Sequence, residues 1–148
     1  MKPDPARVLE TVSMMLIMEF VPQLGSSYAQ QSLAGGATIL AVAREEIDRA
    51  AARRIEENRA LRRLFATARE VVADTELAAR LTEAAASEEG SLLVSDLDRS
   101  NQALRGLLIR LHAHIEQVPG DAARRVEAAI WDELRASTER RRTMLGNF

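Results

Sequence analysis

The sequence predicts an all-α fold, with residues 1–148 forming a single helical-bundle domain of four main helices and one short helix. Three observations carry that expectation. Apolar residues recur in steps of three and four, and no stretch alternates with period two between turn signals. Aromatic residues make up only 3% of the chain, so Leu, Ile, Val, Met and Ala must fill the core, which suits thin helices packed closely. The third observation is a heptad stripe, with Val94, Asn101, Leu108 and Ile115 at a and Leu97, Leu104, Leu111 and Val118 at d. Such a stripe buries one narrow seam against another helix, and Asn101 is the amide that breaks it.

Taken in order, Asp4-Pro5 is a helix start, with Asp as N-cap and Pro where a missing N–H costs nothing. This helix is expected to run to about Val21 and to stop at Pro22. Val8, Leu9, Val12, Leu16 and Phe20 share a face, while Met14, Met15, Ile17 and Met18 spread round the cylinder. A helix that is apolar nearly all round is buried on more than one side, either through the middle of the bundle or against a second chain. Met14, Met15 and Met18 are therefore candidates for an interface or an apolar pocket.

Ser27-Tyr28-Ala29-Gln30 reads as a capping box for a long helix reaching about Val72. Gly35-Gly36 interrupts it, marking a bend or a close approach of another backbone. Its apolar stripe is Leu40, Ala43, Ile47, Ala51, Ile55, Asn58, Leu61, Phe65, Ala68 and Val72. Arg44, Glu45, Asp48, Arg49, Arg53, Glu56, Arg59, Arg62 and Arg63 occupy the other faces, as a solvated surface. Arg54 and Asn58 point within the apolar arc, with Glu57 and Glu46 on its shoulder. A buried Arg needs a carboxylate partner, so Arg54, Asn58 and Asn101 form a candidate internal polar network.

Asp74-Thr75 starts a short helix from Glu76 to about Ala86, and the heptad helix follows the loop 87–91. Gly106 falls at f, on the outer face. Pro119-Gly120 ends the heptad helix and Asp121 is expected to cap the last one. There Ala123, Val126, Ile130, Leu134 and Ser137 turn inward. Arg140-Arg141-Arg142 set positive charge at the negative end of the helix dipole, which explains them without a partner. Trp131 lies off the stripe, as a second buried face or an interface anchor. The long elements, about 37–72 and 94–118, are expected to pack antiparallel, with Asn58 and Asn101 pairing within the chain or across a dimer axis.

The search for chemistry yields little. A net charge of −2 gives no electrostatic reason for a nucleic-acid or anionic-membrane partner. With no Cys there is no thiol nucleophile and no zinc-thiolate site. His112 and His114 diverge on a helix, and Ile109 and Leu111 stand where a di-iron bundle needs Glu three residues before each His. No Ser sits in a G-x-S-x-G elbow and no glycine pattern cradles a phosphate. The expectation is no catalytic, cofactor or metal site. The apolar run between Glu10 and Glu19 is far shorter than the ~20 residues a span requires, so a cytoplasmic protein without membrane contact is expected.

Several segments resemble a family of small all-helical bacterial proteins. They are Pro3-Asp4-Pro5 with residues 19–22, then 43–49, 57–61 and 107–112, and finally 129–134 with 137–140. The resemblance covers most of the chain. Members of that family are often encoded beside kinases resembling aminoglycoside phosphotransferases and beside acyl-CoA dehydrogenase-like proteins. It implies an accessory role near acyl-CoA or kinase chemistry and supplies no catalytic residues to carry across.

The leading expectation is a non-enzymatic interaction or accessory protein, acting as a homodimer and with a protein partner. A binder of a small acyl-type ligand near Met14, Met15, Met18 and Gly35-Gly36 is the second. An enzyme would need Arg54, Asn58, Glu57 and His112 to converge in one cavity.

Overall fold

The computed structural model describes residues 4–143, and these contain helices and turns with no strand. Helix α1, Pro5–Met15, is capped by Asp4, whose carboxylate accepts from the backbone N–H groups of Ala6 and Arg7 at 3.1 and 3.4 Å. The chain then widens into a π-helical turn, Leu16–Phe20, and tightens into a 3₁₀ turn, Val21–Gln23. The α-helical ladder thus ends before the expected Val21. A proline ring clashes with the carbonyl four residues earlier, so the ladder cannot stay regular ahead of Pro22.

Helix α2, Ser27–Ala68, is 42 residues long. Its cap lies one residue before the expected capping box: Ser26 Oγ accepts from the Ala29 N–H at 3.5 Å, and the Gln30 amide reaches Leu24 O at 2.8 Å. The helix is continuous through Gly35-Gly36, and a Cβ built on either glycine would meet nothing within 4 Å. It ends at Ala68 rather than Val72. Helix α3, Thr75–Ala86, is capped by Asp74, which accepts from the Leu77 N–H at 3.0 Å. Helix α4 is Val94–Ile115, and helix α5 is Asp121–Arg140. Gly120, not Asp121, is the N-cap of α5; its φ of 110° is open only to glycine, and Asp121 pairs instead with Arg124.

The chain divides into two compact units, Ala51–Arg141 and Met1–Ala50 with Arg142–Phe148. In the first of these, the second half of α2 joins α3, α4 and α5 around Leu61, Phe65, Leu81, Leu111 and Ile130. Every a and d position of α4 from Leu97 to Ile115 is buried, Asn101 included, while Val94 is 40% exposed. The expected antiparallel packing of α2 on α4 needs a correction of polarity. Arg54 meets Asp98, Asn58 meets Asn101, and Glu57 meets Ser137 of α5, which itself binds Arg105 of α4. Each helix reverses on the next, as Arg62–Ser87 shows for α2 and α3, so α2 and α4 run in the same direction. The short α3 supplies the extra reversal.

In the other unit α1 lies antiparallel to the first half of α2, with Ser13 Oγ donating to Ala37 O at 2.8 Å and Arg44 reaching Glu10 at 3.2 Å. Ala37 and Ala50 are its buried apolar residues. None of the residues of α1 or the π turn is buried, so the expectation that this segment runs through the middle of a bundle is not met. Ile47 is 51% exposed, and the α2 stripe is fully covered only from Asn58 onward.

Candidate functional site

Polar residues cluster where α2, α4 and α5 meet. Asn58 is fully buried and Asn101 nearly so. Asn101 Nδ2 donates to Asn58 Oδ1 at 2.8 Å, and Asn58 Nδ2 donates to Glu89 Oε1 at 3.0 Å and to Leu97 O at 3.4 Å. Glu89 also takes the guanidinium of Arg62, which donates from Nε to Ser87 Oγ at 3.0 Å and from Nη2 to Ser100 Oγ at 3.2 Å. Helix α2 thus ties down the loop after α3, a segment without regular structure of its own.

Glu57 is the second hub and is buried. Ser137 Oγ donates to its Oε1 at 2.6 Å, Arg141 Nη2 to its Oε2 at 2.8 Å, and Arg105 pairs with it from α4. Arg141 Nη2 also lies 3.4 Å from Asn101 Oδ1, joining the two hubs. Arg54 grips Asp98 through Nε and Nη2, and Glu133 pairs with Arg140. Residues four apart on one helix face supply these contacts: Arg54 with Asn58, Asn101 with Arg105, Ser137 with Arg141.

The electrostatics follow from these contacts. Burial on its own pushes the Glu57 carboxyl upward, but the Ser137 hydroxyl and the Arg141 and Arg105 guanidiniums outweigh it, and its pKa lies below the ordinary value. Glu89 behaves alike: burial raises it, and Arg62, Asn58 and Ser100 bring it below the usual range. Glu133 goes the other way, raised chiefly by burial and further by the Glu57 charge, against the pull of Arg140 and Arg63.

No protein-family model, curated protein or solved structure matches the chain.

Several side chains of the polar cluster escape the sequence pattern. Arg62 lies on the face expected to be solvated, yet it is 8% exposed. Arg140 and Arg141 do more than oppose the helix dipole, since each has a carboxylate partner. Ser137, a hydroxyl on an apolar stripe, was the available signal for a buried acceptor opposite it. Nε2 of His112 and of His114 are buried without a hydrogen-bond partner, and His112 Nε2 lies 3.7 Å from the Glu116 carboxylate. His112 meets Trp131 edge-on, with ring centroids 5.3 Å apart, and Trp131 is 48% exposed. His112 stands seven residues beyond Arg105 on α4, about 10 Å along the axis, and so lies outside the Glu57 cluster.

Near the methionines, a cleft of about 690 Å³ is lined by Met14 together with Ser13, Ala41 and the charged Glu10, Arg44, Glu45 and Arg49. Met15, Met18, Gly35 and Gly36 do not line it, and Met18 is 68% exposed. Among the described residues there is no group of three or more His, Cys, Asp or Glu side chains able to hold a metal ion, and no helix long and apolar enough to cross a membrane.

Proposed function

We propose that this is a non-enzymatic helical interaction protein that acts as a homodimer through its N-terminal hairpin. One observation carries the proposal. The hairpin of α1 and the first half of α2 buries Ala37 and Ala50 but leaves Val8, Met14, Met18, Phe20, Ile39 and Ile47 between 44% and 68% exposed. Two alanines make no core. Fully burying a large apolar side chain is worth about 1.5–3 kcal/mol, so half-covering this set against a second surface yields several kcal/mol. Exposed apolar surface on this scale marks an association site. The polar cluster supports the non-enzymatic half of the proposal. Glu57 and Glu89 are held ionised by arginines within the same unit, and Glu133, whose carboxyl burial raises, is paired with Arg140.

Chromatography with light scattering at micromolar concentration tests the proposal. The expected result is an assembly of at least two chains, reduced by Met18→Arg with helix content retained. A monomer for the unaltered protein overturns it.

A further inference from the structure

The groove between the second half of α2 and α5 has a volume of about 810 Å³ and lies away from the polar cluster's hubs. Its floor is Ala68 and Val126, both buried. Its α5 wall carries Ala122, Ala129 and Ala136, seven residues apart and hence on one face at every second turn. Its opposite wall carries Leu64 of α2 and Val71 of the turn that follows it. Alanine at these positions lets another helix approach near the short end of the usual 8–10 Å interaxial range.

The charges at the rim identify what fits. On the α2 side they are Arg63 on the helix and Glu70 in the turn after it, and on α5 Arg125 and Asp132, seven residues or about 10 Å apart. Glu133, which also lines the groove, is paired with Arg140. Helices α2 and α5 are antiparallel, because Glu57 bonds Ser137 and Arg141 while Arg63 acts on Glu133 further along. Arg63 therefore faces the Asp132 end of α5, and Glu70 faces the Arg125 end. The four corners alternate in sign, with both arginines on one diagonal and both acids on the other. A rim of one sign repels its own copy. An alternating rim attracts it: a two-fold axis lying in the face, along the helices or across them, sets every arginine over an acid.

From this geometry we infer that the α2–α5 face is a self-association surface, on which a second copy of the chain docks its own α2–α5 face. The two pairs of helices form a four-helix layer with Leu64, Val71, Val126 and the alanines as its core. The residues lining this surface are none of those of the N-terminal hairpin, and the inference does not rest on the hairpin proposal.

Charge-reversal variants of the full chain test it by light scattering across a concentration series. Arg125 is exposed, so Arg125→Glu leaves the helix content unchanged, and like charges across the contact raise the dissociation constant of one association step by at least about tenfold. Mixing Arg125→Glu with Glu70→Arg restores the step if the axis runs along the helices. Mixing it with Asp132→Arg restores it if the axis runs across them. Recovery in one of the two mixtures supports the inference and reports the axis. An unchanged Arg125→Glu protein, or recovery in neither mixture, overturns it. Met18→Arg, measured alongside, removes only the hairpin contact, so the two proposals fail separately.

Discussion

At Asn58 the amide nitrogen makes two hydrogen bonds and the carbonyl oxygen one, in a side chain with no exposure to solvent. A buried amide is neutral in cost only while it is fully paired. Asn58→Leu leaves the Asn101 donor without its acceptor and removes one donor from Glu89, so we expect a loss of about 2–4 kcal/mol. Changing Asn101 to Leu as well removes the stranded group, so the double variant should lose less than the two single losses combined. Urea unfolding of the three variants measures this coupling, and strict additivity would show that the amide pair is not a unit. Asn58 and Asn101 were legible in the sequence because each is an amide on an apolar stripe. Glu57 was legible only as a residue on the shoulder of that arc and Arg62 not at all, since a long side chain rooted on a flank can reach inward, and helical angle alone does not say which way it lies.

Among the elements, helix α2 is continuous through Gly35-Gly36, so helix propensity is a weak guide to where a helix breaks. Starts of helices were legible because caps are local chemistry: Asp4 and Asp74 accept the backbone N–H groups that a cap should. Ends and directions were less so. The π turn before Pro22 is a local response to the proline ring that a stop signal does not specify, and the parallel run of α2 and α4 depends on how many reversals the chain makes, which no single segment encodes. Gly106 isolates the propensity term. It sits exposed on the outer face of α4, and a Cβ there meets nothing within 4 Å. Gly106→Ala should therefore stabilise the protein by about 1 kcal/mol, raising the melting temperature by roughly 2–4 °C. Thermal unfolding checks it, and a fall in melting temperature would mean that another surface closes on that face.

For the whole molecule, the carboxylates of the polar cluster determine the response to acid. Glu57 and Glu89 have folded-state pKa values below the ordinary carboxylate value. The unfolded chain therefore takes up protons before the folded one as pH falls. Their stabilisation is complete above an unfolded value of about 4.3 and is lost as pH drops through the lowered folded values. Glu133 has the opposite sign: raised by burial, it favours the fold below its ordinary pKa, and that contribution disappears as pH rises through its folded value. Asp96 on the surface is lowered too, by hydrogen bonds from Ser91 and Arg99, so three lowered carboxylates stand against one raised and stability falls on the acid side. Arg105 and Arg141 are partly solvated, so the contribution at Glu57 is discounted from the 3–5 kcal/mol of a sealed pair to about 2 kcal/mol. Glu57→Gln cannot titrate at that hub. Denaturant melts between about pH 3 and pH 7 should show it less stable than the unaltered protein at neutral pH and with a flatter acid limb, the two curves converging as pH falls. An acid limb of unchanged slope in Glu57→Gln would place the proton-linked stability elsewhere in the chain.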